Sequence, residues 1–355
     1  MLMLWHHLFA FPSWYKEEVE INYIFGHYGI LTTNILAYFG NICVQIFAII
    51  SGYSLFKMPD SYNSIAKRAK RLFHFLYAYW LIILLFVIIG LINNDNIPSL
   101  SQLLYNMVGL NTGPSFPYIN VPFAWYVAYY IQFILLSPIL IRIFNTTKKP
   151  FFDILILFFI LITTHLLCIL PFGEPLSQFF SYSHPLFCAG LGIIAAKYNL
   201  FTKMHNKFCK LHSSVFILIT IILILLKFKF HSFLILSHLS TNLIYYHAFF
   251  SVLAFVLIFC LIELTNRIKS LWVQNSLIFI GSISIFLWFM QGIFFTGNCI
   301  LQLELYQLKE PILIYFCALF ILIPSCFLVN KFYRFTWNKF QFLWRQKGIS
   351  IKSII

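Results

Sequence analysis

Residues 72–92 read LFHFLYAYWLIILLFVIIGLI, and residues 67–71, just before them, read KRAKR. As an α-helix, the apolar stretch rises about 31 Å, which matches the hydrocarbon core of a bilayer. No water is available at that depth, so every backbone polar group must be bonded inside the segment, and a helix achieves this. We therefore predict a transmembrane helix with a basic flank at the membrane surface.

The same pattern recurs along the chain. Of its 355 residues, 61% are hydrophobic and only 10% are charged, and the mean hydropathy is +0.86. Soluble domains carry about 25% charged residues. We therefore predict an all-α fold, a polytopic integral membrane bundle of about ten transmembrane helices in contact with the lipid bilayer. The predicted spans are 1–11, 36–56, 72–92, 123–143, 151–171, 178–196, 212–230, 240–262, 276–296 and 311–331.

The first span is too short to cross a membrane. Eleven residues rise about 16 Å as a helix, whereas a span needs about 20 residues. The segment is therefore either re-entrant or the remainder of a longer helix whose beginning is missing. We expect the second, a truncated first helix.

The basic residues predict the orientation of the bundle. The formal net charge is +14, but Lys and Arg lie in short clusters between apolar runs, which favours a membrane protein over a nucleic-acid-binding protein. If the connections alternate, 20 of the 24 Lys and Arg fall on one side, which is then cytoplasmic. We predict a multi-pass protein of the cell (plasma) membrane with a cytoplasmic C-terminus. Residues 1–335 form the membrane domain and residues 336–355 a basic cytoplasmic tail.

The sequence gives no sign of a metal site. The eight cysteines are scattered singly, with no CxxC pair or Cys/His spacing, and no carboxylate cluster is present. No bound metal or cofactor is therefore predicted.

Two sets of polar residues lie at the ends of predicted spans. His6 and His7 end the first span, where histidine is costly unless it lines a polar site. They are either functional or an interfacial pair among aromatic residues. Arg68 and Arg71 share one helix face, because they are three residues apart. They either clamp phosphates bidentately or simply anchor the helix at the membrane surface.

Several further motifs have a structural and a functional interpretation. Ser51-Gly52-Tyr53 and Gly281 to Ser284 place small residues where helices can approach closely. The aromatic run Trp125 to Tyr130 opens a span that contains Pro138, which is expected to kink the helix.

In their order and spacing, these motifs resemble acyltransferase family 3, a family of polytopic membrane acyltransferases. The resemblance covers essentially the whole chain. The matching residues are Gly40 to Tyr53, Arg68 and Arg71, Trp125 to Pro138, Gly281 to Ser284, and Phe187, Gly190 and Gly192 in the sixth span.

The resemblance implies a ten-helix acyl-transfer domain. Family members move acyl groups, commonly acetyl, from a cytoplasmic acyl-CoA-type donor to a carbohydrate or another acceptor. The implied activity is O-acetylation of a cell-surface polysaccharide, such as capsule or exopolysaccharide, or of its precursor. Acetyl-CoA is the implied co-substrate.

The resemblance also implies a catalytic histidine in the first span, separated by ten residues from a basic residue that precedes it. It falls on His6 or His7, and the basic residue would precede Met1. Many members carry histidine in the ninth span where this chain has Gln291, so that position is not a required acid or base here.

Acyl transfer from a thioester to a hydroxyl needs a base, donors for the oxyanion and cations for the donor's phosphates. We predict His6 or His7 as the base and Arg68 and Arg71 as the donor-binding residues. Candidate oxyanion or acceptor contacts are Ser51, Tyr126 and Tyr130. The histidines lie toward the outer face and the arginines at the cytoplasmic face, so either a long pantetheine arm or an acyl-enzyme relay must join them.

Two alternatives belong to other classes of protein. A transporter or flippase for lipid-linked sugars explains the spans and the intramembrane histidines, but not the ordered motifs. A membrane glycosyltransferase is less favoured, because no Asp-x-Asp sugar-nucleotide motif is present.

Overall fold

A computed structural model of the chain describes residues 2–9, 37, 39–58, 65–92, 99–110, 125–170, 183–236, 244–295 and 304–346. Regular structure in these residues is helical, without a β-strand. The helices are α1 (Leu2–Phe9), α2 (Ile42–Lys57), α3 (Ile65–Ile92), α4 (Leu100–Met107), α5 (Trp125–Thr146), α6 (Pro150–Ile169), α7 (Pro185–Lys197), α8 (Leu200–Phe208), α9 (Ser213–Leu236), α10 (Ile244–Asn266), α11 (Leu271–Phe295) and α12 (Pro311–Gln346).

The prediction of an all-α membrane bundle is confirmed. In the described part of the chain, seven helices are long and apolar enough to cross a membrane. The number is eight if α7 and α8, which meet at a 63° bend, form one span. Every predicted span coincides with a helix, and only α4 and α8 lie outside the predicted set.

Large apolar side chains cover the outside of the bundle, as lipid contact requires. Exposed examples on the long helices are Phe151, Phe159, Ile278, Phe316 and Phe320. In water such a surface would drive aggregation, whereas in lipid it has no such cost.

The closest helix contact joins α2 to α7 through two glycines. A Cβ atom added to Gly52 would overlap the Ala189 backbone carbonyl, and one added to Gly192 would overlap the Ile49 carbonyl. Small residues allow this approach, as in other membrane helix pairs. The packing role predicted for Gly281 was wrong: a Cβ there would meet nothing within 4 Å, because Gly281 lies on an exposed face of α11.

Two carboxylates inside the bundle, those of Asp153 and Glu263, are paired with basic side chains. The Lys197 ammonium lies 2.7 Å from the Asp153 carboxylate, to which the Tyr198 hydroxyl also donates at 2.6 Å. The buried Glu263 carboxylate contacts His205 at 2.7 Å and Arg267 at 3.7 Å. Pairing offsets part of the cost of removing these charges from water.

α4 belongs to a segment that the sequence predicted as an external connection. It begins with a capping box, in which the Ser99 hydroxyl accepts from the Gln102 amide and the Gln102 side chain accepts from the Ser99 amide. Its last residues accept hydrogen bonds from α3: Tyr79 donates to the Asn106 carbonyl and Trp80 to the Met107 carbonyl, both at 2.9 Å. α4 therefore packs against α3.

α12 is 36 residues long, about 54 Å of helix. The predicted boundary at 335 falls inside this helix, since α12 continues to Gln346. Just after residue 335, buried Trp337 packs against Phe73, His74 and Tyr77 of α3, with ring centroids 4.6 to 5.9 Å apart. The end of α12 therefore covers the beginning of α3.

Candidate functional site

The two predicted histidines are buried at the end of α1, a helix that packs against α11 and α12. His6 is 5% exposed and His7 is 7% exposed. Their rings meet edge to face with centroids 5.0 Å apart. Trp5 packs on Tyr315 of α12, and the Tyr306 hydroxyl donates to the Leu8 carbonyl at 2.8 Å. These contacts fix the position of α1 and therefore of both imidazoles.

A backbone carbonyl determines the tautomer of His6. Its Nδ1 lies 3.0 Å from the Ala37 carbonyl oxygen, just before α2. A carbonyl only accepts, so Nδ1 carries the hydrogen and Nε2 keeps the lone pair. A histidine held in this way by its Nδ1–H is oriented to act as a base through Nε2.

Lys227 of α9 binds the same short segment from another side. Its ammonium donates to the Phe39 carbonyl at 2.8 Å and lies 5.2 Å and 5.1 Å from the ring centroids of Phe39 and Phe250. The side chain is only 2% exposed. The segment before α2 therefore contacts His6 through Ala37 and Lys227 through Phe39.

The sequence interpretation missed this role of Lys227. It counted the residue only as an outer-side charge. The available signal was a lysine inside an otherwise apolar span, where a charge needs a specific partner.

Ser51 and Tyr126, two predicted contact residues, are brought together. The Ser51 side chain lies close to the Tyr126 hydroxyl. The Tyr126 ring lies 4.9 Å from Trp288 and 5.4 Å from Tyr129, measured between centroids. Helices α2, α5 and α11 therefore meet at one aromatic cluster.

Three buried donors without a hydrogen-bond partner among the described residues lie on α5 and α11. They are the Tyr129 hydroxyl, the Trp288 indole N–H and the Gln291 amide nitrogen. A buried donor that stays unpaired costs about 1–3 kcal/mol, so such groups are rare in folded proteins. Two of them flank Tyr126 and suit a ligand oxygen that develops negative charge.

Tyr129 and Trp288 were not among the predicted site residues, although both lie in motifs that the sequence analysis quoted. Whether either side chain belongs to the site depends on the direction in which it faces after packing. Each lies among several aromatic residues, and the sequence does not show which of them faces the site.

Arg71 lies on the side of α3 that faces Tyr130. It is four residues before Phe75, so the two share one helix face, and its guanidinium is 2.7 Å from the Met58 sulfur. The Tyr130 ring packs on Phe75, with centroids 4.2 Å apart. Arg68, one turn earlier on α3, is partly buried, and its Nε has no hydrogen-bond partner in the described part of the chain.

Helix α11 packs against the helices that carry these groups. Phe289 contacts Phe75 and Tyr79 of α3 at 5.8 Å and 5.0 Å between centroids. Trp288, beside it, contacts Tyr126 and Phe47. Because α1 packs on α11 as well, one helix touches the elements that carry the histidines, the aromatic cluster and the arginines.

The residues that the structure describes contain no group of three His, Cys, Asp or Glu side chains arranged to hold a metal ion. The chemistry that this site can perform with its own side chains is proton transfer by imidazole, hydrogen-bond donation by buried hydroxyl and indole groups, and anion binding by guanidinium.

Comparison with known proteins identifies the family. No curated protein and no solved structure matches the chain significantly. A family profile described as an acyltransferase domain, that of acyltransferase family 3, matches residues 1–331. This match covers every helix that carries the site, from α1 through most of α12. The chain is a multi-pass membrane protein that belongs to acyltransferase family 3 and is an acyltransferase.

Proposed function

We propose that this protein O-acetylates a carbohydrate, taking the acetyl group from acetyl-CoA on the cytoplasmic side of the cell membrane. The acceptor is a hydroxyl of a cell-surface polysaccharide, such as capsule or exopolysaccharide, or of its precursor. The observation that supports this proposal most directly is the buried His6 whose Nδ1 contacts the Ala37 carbonyl.

His6 is the proposed base. Its Nε2 takes the proton of the acceptor hydroxyl while the hydroxyl oxygen attacks the acyl carbon. The new carbon–oxygen bond forms, the carbon–sulfur bond of the thioester breaks, and the thiolate leaves with the electron pair. Proton transfer by a positioned side chain typically accelerates a reaction 10²- to 10⁴-fold.

The aromatic cluster is the proposed oxyanion site. The Tyr129 hydroxyl and the Trp288 indole are buried donors with no acceptor in the described residues. Donors that are already oriented stabilise the negative oxygen of the tetrahedral intermediate without reorganisation. Ser51, which lies close to the Tyr126 hydroxyl, is proposed to limit the position of the reacting group beside them.

Arg68 and Arg71 are the proposed ligands of the donor's phosphates. Guanidinium groups bind phosphate oxygens through charge-assisted, often bidentate hydrogen bonds. Arg71 lies on the same side of α3 as Phe75, on which the Tyr130 ring packs, so a donor bound there would direct its flexible arm toward the aromatic residues at the beginning of α5.

The test separates the two histidines. Purified protein in lipid nanodiscs is given radiolabelled acetyl-CoA, and both hydrolysis and transfer to extracted surface polysaccharide are measured. We expect His6→Ala to lose at least 100-fold in kcat, while His7→Ala keeps more than a tenth of the activity.

Each contrary result has a definite meaning. Full activity in His6→Ala and loss in His7→Ala would transfer the base to His7. Full activity in the double variant would remove the base from α1. Movement of lipid-linked sugars without any acetyl-CoA turnover would support the transporter alternative.

A further inference from the structure

A cavity of about 470 Å³ lies between α2, α8 and α10. It is lined by none of the residues placed in the candidate site: His6, His7, Arg68, Arg71 and the aromatic donors. Its lining residues are Ile50, Tyr53, Phe201, Thr202, His205, Ile258, Ile262, Glu263 and Asn266. The volume is in the range of small-molecule sites in proteins.

One wall holds a histidine and a buried carboxylate. The His205 Nδ1 lies 2.7 Å from the Glu263 Oε1, and the Glu263 side chain is only 2% exposed. A carboxylate accepts, so Nδ1 donates, and in the neutral ring the lone pair remains on Nε2. The His205 side chain is 48% exposed and lines the cavity. Its ring can therefore accept a hydrogen bond from an occupant.

The charge of Glu263 is already compensated. The second carboxylate oxygen lies 3.7 Å from the Arg267 guanidinium. That guanidinium also donates to the backbone carbonyls of Leu211 and Cys209, at 2.6 and 3.1 Å, so it is fixed in place. The cavity therefore presents no uncompensated charge that would select an anionic or cationic ligand.

The remaining lining is mainly apolar. Ile50, Phe201, Ile258 and Ile262 provide hydrocarbon surface, and the Phe201 ring is held between Tyr53 and Phe255 at 5.3 and 4.9 Å. Transfer of a hydrocarbon chain from water to such a surface is favourable by about 0.8 kcal/mol, or about four-fold in affinity, per methylene, whereas a chain that arrives from the bilayer gains packing contacts only.

We propose that this cavity binds an amphiphile with one hydrocarbon chain and a neutral hydroxyl head group. The chain lies against the isoleucines and Phe201, and the hydroxyl donates to His205 Nε2. This ligand class extends the proposed function, since an O-acyltransferase acts on hydroxyls. Binding itself does not require acyl transfer, so the two proposals can fail separately.

The experiment uses the whole protein in nanodiscs and a photoreactive hexadecanol that carries a diazirine in mid-chain. Matched probes end in a carboxylate, an ammonium or a plain methyl group. Labelled peptides are identified by mass spectrometry. We expect the alcohol to label the stretch around Ile258 and Ile262 at least five-fold more than any matched probe.

Two variants test the two parts of the site. His205→Phe removes the acceptor and should reduce labelling by the alcohol to the level of the methyl probe. Ile258→Trp fills the cavity and should abolish labelling by every probe. His212→Phe changes an exposed histidine outside the cavity and should have no effect. Thermal unfolding of each variant in detergent confirms that it is folded.

Equal labelling by the four probes would show ordinary lipid contact only and overturn the proposal. Undiminished labelling by the alcohol in folded His205→Phe would exclude the hydrogen bond to His205. Undiminished labelling in folded Ile258→Trp would place the probe outside the cavity. A stronger signal from the ammonium or carboxylate probe would show that an ionic head group is selected.

Discussion

Lys227 is buried, with only 2% of its surface exposed, and its ammonium donates to the Phe39 carbonyl. Lys227→Met keeps the apolar stem but removes the donor, and the carbonyl then loses this partner. We expect the free energy of unfolding to fall by about 1.5–3 kcal/mol. If the segment before α2 positions His6, kcat should also fall while the KM for the acyl donor stays constant. Thermal unfolding in detergent and steady-state acetyl transfer measure the two effects.

Lys229 supplies the matched control. It lies two residues further along α9 and is exposed, so Lys229→Met removes the same charge without removing the bond to Phe39. Lys227→Arg, which keeps a cation, should recover part of kcat. An equal loss in both methionine variants would show that charge near the membrane surface is responsible, and that His6 does not depend on Lys227.

Arg68 and Arg71 are expected to determine donor affinity. Arg68→Gln and Arg71→Gln should each weaken acetyl-CoA binding by about 1.5–3 kcal/mol per lost charged hydrogen bond. Equilibrium binding to nanodisc protein measures this. Arg142→Gln removes an exposed arginine and should leave the affinity unchanged. Unaltered binding in a folded double variant of Arg68 and Arg71 would return both residues to the role of membrane anchors.

Motif order, rather than any single residue, suggested Ser51, Tyr126 and Tyr130 as contact residues, and their roles stay predictions. In the structure Ser51 lies close to the Tyr126 hydroxyl. Tyr129 and Trp288 could not be chosen in the same way. Which aromatic side chain of a run faces its neighbours depends on the rotation of the helix about its axis, and that rotation is set by tertiary packing.

At the scale of elements, the contact between α2 and α7 depends on two glycines, which have no Cβ atom. Gly52→Ala and Gly192→Ala each place a methyl group into a backbone carbonyl of the opposite helix. The helices must separate, so we expect a loss of more than about 3 kcal/mol, the cost typical of severe steric overlap. Yield of folded protein and thermal unfolding in detergent measure it.

Gly281→Ala is the control for this prediction. A methyl group there meets nothing within 4 Å, and alanine favours a helix over glycine by about 1 kcal/mol. We expect this variant to be as stable as the wild type or slightly more stable. If Gly52→Ala and Gly281→Ala behaved alike, the close contact between α2 and α7 would be excluded.

The long elements could be predicted from sequence, but the way they connect could not. Each span predicted from an apolar run coincides with a helix in the structure, because lipid permits few other backbone structures. α4 was missed because it is short and lies between polar stretches. Its only local signal was the pattern Ser99 to Gln102, a capping box. Its packing on Tyr79 depends on a long-range contact that no local pattern contains.

At the scale of the whole molecule, the asymmetry of Lys and Arg predicts which face is cytoplasmic. Cys209 is exposed and lies beyond the end of α8, on the basic side. With every other cysteine replaced, a membrane-impermeant maleimide should label Cys209 only after the cells are permeabilised. Gln307→Cys in a Cys209→Ser background should be labelled in intact cells, because Gln307 is exposed on the opposite side of the predicted topology.

The two sites check each other. Labelling of both in intact cells would indicate leaky cells, and a maleimide-reactive cytosolic protein serves as the marker for that. Labelling of Cys209 in intact cells, with Gln307→Cys protected until permeabilisation, would reverse the predicted orientation. The C-terminus and the donor site would then face outward.

The length of α12 limits how far the C-terminus of the protein can be truncated. The family match stops at residue 331, and a cut after residue 335 keeps every predicted span. Such a truncation would nevertheless delete Trp337, which packs against Phe73, His74 and Tyr77 on α3. The truncation would therefore uncover the beginning of α3, which carries the arginines proposed to bind the donor. The boundary of sequence similarity is therefore not a safe place to end the polypeptide, and a minimal active version should retain α12 through Gln346.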